Sequence, residues 1–148
     1  MIYRFLPLIL FCIFSFKPLN TTKNTKNEVT STDPKLIAAN AKATFEAKTK
    51  SFYSVIDANG FSLPSFESFI AAFEGYEQLK QLGKIQNEIL TIVDFSLSSS
   101  QERMWVVDMK SQKVILKSLV SHGRNSGSEY ATDFSIASES FKSSLGVY

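Results

Sequence analysis

Three rhythms of apolar and polar residues succeed one another along the chain. From Phe5 to Phe16 the side chains are apolar almost without a break, and from Asn20 to Asp33 the only apolar side chain is Val29. Periodic patterns begin after that. Asp33-Pro34 is a helix start, an acceptor at the cap followed by a residue whose missing N–H costs nothing at the first helical position. Ile37, Ala41, Phe45, Phe52, Val55 and Ile56 then recur at helical spacing, and Asn59-Gly60 supplies a stop. Ser62 or Ser65 caps a second helix, whose apolar face runs through Phe66, Phe69, Ile70, Phe73, Tyr76 and Leu79 to a stop at Gly83. Regular spacing marks this aromatic stripe as core packing rather than a ligand groove.

Further on the period shortens. Ile89 to Phe95, Met104 to Met109 and Val114 to Val120 are rich in β-branched and aromatic residues and are joined by turn-like stretches, Ser98 to Gln101 and Lys110 to Gln112. Three successive strands of this kind predict an antiparallel meander. The fold class is therefore α+β, an N-terminal helical hairpin followed by a β meander. Beyond the third strand serine and glycine dominate, and residues 143–148 read as the start of another strand.

The N-terminal pattern bears on location. Arg4 before the run and Lys17-Pro18 after it frame an apolar segment of signal-peptide length, too short for the about 20 apolar residues a membrane-crossing helix needs. Residues 1–19 are read as a signal peptide or membrane anchor, with membrane association through this segment left open. No small-x-small cleavage triplet follows, and Phe11 stands where lipid attachment at Cys12 would require a small residue. Residues 20–33 are a disordered polar linker, too poor in apolar side chains to offset the entropy of ordering. Residues 34–148 are the folded part, 34–83 helical and 84–148 the β region. The expected location is outside the cytoplasm, in the periplasm or cell envelope.

Composition narrows the chemistry. Setting Arg4 and Lys17 aside leaves 14 basic against 14 acidic residues, so no basic face is available for nucleic acid. Cys12 is the sole cysteine and His122 the sole histidine. A disulfide framework, a Cys/His zinc site and Cys-His catalysis in a chain that has lost its leader are thereby excluded, and no cofactor is called for. Asp94 and Asp108 could pair on adjacent strands, but solvated strand-end charges are the default. The many serines do not form a nucleophile elbow.

The richest cluster of polar groups is His122, Gly123, Arg124, Asn125, Ser126 and Gly127. A guanidinium fork among glycine-flanked backbone donors can bind a carboxylate. The alternative is a loop that hydrogen-bonds only itself and its neighbours.

Several segments together carry a family resemblance: Ile89 to Ser96, Arg103 with Trp105-Val106-Val-Asp108, Val120-Ser-His-Gly-Arg-Asn-Ser-Gly127, Phe134-Ser135, and Ser143-Ser-Leu-Gly-Val-Tyr148. This series resembles the murein L,D-transpeptidase catalytic-domain family, in its YkuD-like branch common in Bacteroidetes. The helix carrying Phe73-Glu-Gly-Tyr76 fits the helical lead-in of that family, and Ile136 departs from it where many relatives carry Asn. The resemblance implies a mainly β catalytic domain that acts on peptidoglycan stem peptides. It implies acyl transfer in which a cysteine thiolate attacks an L,D peptide carbonyl, a histidine acts as base, and an amine resolves the thioester. In the family the catalytic His-Gly and Ser-x-Gly-Cys lie beyond the Ser-Ser-Leu-Gly-x-Tyr motif, where this sequence ends. The expectation is therefore a domain truncated before its catalytic segment and inactive alone, with no catalytic residue of its own. His122 matches an earlier, cleft-shaping motif. The alternative is a noncatalytic module binding wall peptides or a partner protein. A cut domain predicts an open sheet edge and marginal stability, with Phe95, Trp105 and Val107 short of partners.

Overall fold

The computed structural model describes residues 33–148, so the leader and all of the predicted linker except Asp33 lie outside the described residues. Helix α1 spans Pro34–Ser54 and α2 spans Phe66–Gln81; strands β1 (Ile89–Val93), β2 (Met104–Asp108) and β3 (Lys113–Ser118) follow. Among the described residues no helix is long and apolar enough to cross a membrane.

Helix α1 starts where predicted, the Asp33 carboxylate accepting from the Lys35 N–H at 2.9 Å. It ends sooner than Asn59-Gly60 suggested. Asp57 leaves the helix to bridge the edge of β3: its N–H donates to Gln112 O at 2.8 Å and its carbonyl accepts from Val114 N at 2.9 Å. The sheet edge outbids one more helical turn, and Asn59 (φ 53°) and Gly60 (φ 82°) turn the chain afterwards. For α2, Ser65 is the cap, its Oγ accepting from Ser68 N at 3.1 Å. The other end closes with Gly83 at φ 66°, where Gly83 N donates to Lys80 O and Lys84 N to Leu79 O. This two-bond closure satisfies carbonyls the helix would otherwise leave bare.

The helices meet through rings. Phe52 packs on Phe73 at 5.2 Å between centroids, Phe45 on Phe73 at 5.9 Å and Tyr53 on Phe69 at 5.2 Å. Buried Thr49, its hydroxyl donating to Phe45 O at 2.8 Å, keeps the contact close. Only this half of α1 is packed. Residues 34–44 are all exposed, so Ile37 and Ala41 continue the apolar stripe outside the core.

The sheet is the predicted antiparallel meander, order β1-β2-β3, with Leu90 opposite Val107, Ile92 opposite Trp105 and Val107 opposite Val114. A bulge at Val106/Val107 shifts the register between β2 and β3. One face carries Leu90, Ile92, Trp105, Val107 and Val114, which form a single core with Phe69, Phe73 and Tyr76 of α2. The shortage of partners expected at Trp105 and Val107 is therefore not found: they are 3% and 0% exposed. The Trp105 indole also donates to Ser62 O at 2.8 Å, which fixes the connection between the helices to the sheet. The opposite face remains apolar and open at Ile89 and Leu116.

Residues 119–148 form no regular strand; Phe134 and Ser143 make an isolated bridge. The strand expected at 143–148 is replaced by a tail. In it Gly146 adopts φ 143° and Val147 rests on α2 at Gly75.

Candidate functional site

The chain leaving β3 is fastened by one side chain. Arg103, immediately before β2, is completely buried. Its Nη1 donates to Leu97 O at 2.7 Å, Nε and Nη2 donate to Val120 O at 3.2 and 3.1 Å, and Nη2 lies 2.7 Å from His122 Nδ1. The guanidinium also lies 5.2 Å from the Phe95 ring centroid, and Phe95 in turn packs on Phe134 at 5.9 Å. Phe95 thus has partners on two sides. Among the described residues no carboxylate forms a salt bridge with Arg103; neutral carbonyls and an imidazole satisfy it.

From Val120 the chain enters the loop His122–Gly127, which is tied to residues 140–143. Gly123 N donates to Ser143 Oγ at 2.9 Å, Ser143 N to Ser126 Oγ at 2.8 Å, and Asn125 N to Phe141 O at 3.1 Å. The Asn125 side-chain amide reaches Ser140 O at 2.9 Å. Ser126 is fully buried, and its carbonyl accepts from Thr132 N at 2.7 Å and Asp133 N at 3.1 Å. Gly123 is required by this crossing, since a β-carbon there would sit 2.5 Å from Phe141 O. Gly127, at φ 143°, would place one 2.0 Å from Tyr130 O.

The six predicted residues are therefore brought together, but unequally. The backbone N–H groups of Gly123, Asn125 and Ser126 bond within the protein, and both His122 nitrogens have partners, Nε2 lying 3.2 Å from Gly127 O. Arg124 faces outward. Its guanidinium lies 3.9 Å from the Phe141 ring centroid, and among the described residues no acid forms a salt bridge with it. Phe141 holds φ at 55°, a left-handed conformation costly for a bulky L-residue.

Three participants were not singled out from sequence as site residues: Arg103, Phe141 and Ser143. An arginine at the mouth of an apolar strand was the available signal for the first; the other two lie in a serine-rich stretch that propensity cannot interpret.

Asp94 and Asp108 do not pair. Asp94 follows one end of β1 and Asp108 is registered with Ile89 at the other. Burial pushes the Asp94 carboxyl up, yet hydrogen bonds from Ser68 Oγ at 2.6 Å and from Ser96 Oγ and N–H, with the charge of Arg103, hold it below its ordinary value. Asp108 is likewise lowered by the Ser111 side chain and by the turn N–H groups of Ser111 and Lys110. Both carboxylates serve the fold. A cavity of about 580 Å³ between the helices and a cleft of about 460 Å³ beside Asp94 and Trp105 are both lined by residues outside 122–127. Among the described residues no group of His, Cys, Asp and Glu could hold a metal ion.

A family model described as the L,D-transpeptidase catalytic domain matches residues 62–148. Comparison with curated proteins and with solved structures gives no match. The match takes in the cap of α2, the whole meander, the Arg103 anchor and the loop with its 140–143 partner. With more than half of its length inside that match, the chain belongs to the L,D-transpeptidase catalytic-domain family.

Proposed function

We propose that this domain holds peptidoglycan stem peptides at the His122–Gly127 loop, with Arg124 pairing to the free carboxylate that ends a stem. The observation that carries the reading is Arg124 itself, its guanidinium 3.9 Å from the ring centroid of a strained Phe141 and, among the described residues, without a salt bridge to an acid. A planar guanidinium presents two parallel N–H donors, which match a carboxylate better than an ammonium would. Stacking limits the rotamers lost on binding, and the pinned backbone of residues 123–126 keeps the loop from reorganising. Family membership supplies the substrate class, the wall peptide. Export to the periplasm or cell envelope, carried by residues 1–19, places the loop where that substrate is.

The same reading separates binding from turnover. Family chemistry runs through a cysteine thioester, and residues 33–148 contain no cysteine. His122 has both nitrogens engaged and is placed as part of the scaffold. On this proposal residues 1–148 bind without forming an acyl-enzyme. Of the two settings for such binding, a domain truncated before its catalytic segment and a noncatalytic module, the closed core around Trp105 and Val107 favours the module. Titration calorimetry with a tetrapeptide stem tests the first claim: saturable binding by the unmodified chain, weakened about tenfold or more by Arg124→Ala, supports it. No binding, or equal binding by both proteins, overturns it. Mass spectrometry of the same mixtures tests the second; a covalent adduct or a cross-linked dimer stem would contradict it.

A further inference from the structure

The Arg103–His122 contact fixes more than distance. A guanidinium has only N–H donors, so at 2.7 Å from Arg103 Nη2 the His122 Nδ1 must accept. Its proton is then on Nε2, which points to Gly127 O at 3.2 Å. One buried side chain thus reaches the start of the loop through Val120 O and His122, and the imidazole passes the constraint to Gly127 at its end. We infer that Arg103 is a positioning residue for the 122–127 loop, holding His122 as the Nε2–H tautomer so that the imidazole spans the loop and fixes the segment carrying Arg124. The functional part of this inference rests on the stem-peptide reading above; the tautomer part does not.

The neighbourhood supports the assignment. The guanidinium is entirely buried; the Phe95 ring, the Leu97 and Val120 carbonyls and the imidazole contact it, and the Asp94 carboxylate is near enough to feel its charge. Lysine could not replace it, because a single ammonium cannot serve carbonyls on two segments and a ring nitrogen in one fixed fork.

Because His122 is the only histidine, a full chain labelled with nitrogen-15 histidine gives one pair of ring signals. At about pH 8, where an ordinary imidazole is neutral, the inference predicts an unprotonated Nδ1 and a protonated Nε2. A protonated Nδ1, as the other tautomer or as imidazolium, would overturn it. A pair of substitutions tests the coupling without removing Arg103. Asparagine places its carbonyl near the position of Nδ1, and glutamine reaches that of Nε2. Each variant keeps one contact and breaks the span, so His122→Asn and His122→Gln should both lower amide protection at Gly123, Asn125 and Ser126 about threefold or more. Unchanged protection in either variant contradicts the spanning role. Stem-peptide affinity of the same proteins then separates the two claims. The expected tautomer with no peptide binding by the unmodified chain leaves the positioning assignment standing and defeats the peptide reading.

Discussion

Val147 occupies the space that a side chain at Gly75 would need: a β-carbon on Gly75 would lie 2.2 Å from Val147 Cγ2. A glycine inside a helix costs about 1 kcal/mol relative to alanine, and here the missing methyl admits the C-terminal tail to the surface of α2. Gly75→Ala sets the two effects against each other. The helix gains while Val147 is pushed off, so global stability in urea should change by no more than about 1 kcal/mol. Amide exchange at residues 145–148 should quicken sharply. Unchanged tail protection would mean that Val147 accommodates the methyl and that the glycine serves no packing purpose.

Ser126 is the buried hinge between the loop and residues 140–143. Its hydroxyl accepts from Ser143 N at 2.8 Å, and alanine would leave that N–H without a partner. An unsatisfied buried donor costs about 1–3 kcal/mol, and Ser126→Ala should lose that much in urea unfolding. Ser138→Ala, at an exposed position, provides the comparison and should be neutral.

Stability should also fall in acid, with a defined sign. Asp94 has a folded pKa below its unfolded value, so its contribution is fully present above the ordinary carboxylate range, about pH 4. It is lost as pH falls through the lower folded value. Asp94→Asn should therefore lower stability at neutral pH and flatten the decline below about pH 4. Equal slopes in the two proteins would contradict the hydrogen-bond account of Ser68 and Ser96.

Local signals made much of this fold legible. Asp33-Pro34 placed the first helix start and the choice of Ser62 or Ser65 contained the second, because capping depends on neighbours in sequence, and the three strands appeared within two residues of their predicted limits. Tertiary competition was not legible. Asp57 leaves α1 for the edge of β3, and Ile37 and Ala41 stay exposed because α2 meets only the later turns of α1. The cover that α2 gives Trp105 and Val107 depends on how helices and sheet stack, which no window of sequence records. At the site the loop 122–127 stood out by composition. Arg103, Phe141 and Ser143 act on it across 16 to 20 residues of chain, a distance at which periodicity carries no information.

The central claim is that Arg124 on its Phe141 platform reads a stem-peptide carboxylate. It is tested most directly by comparing one tetrapeptide stem with a free C-terminal carboxylate against the same stem amidated, each titrated into the full chain. The account predicts that amidation weakens binding about tenfold or more, the scale of a lost charge-assisted pair, and that the difference disappears in Arg124→Ala. Equal affinity for acid and amide in the unmodified protein would contradict it.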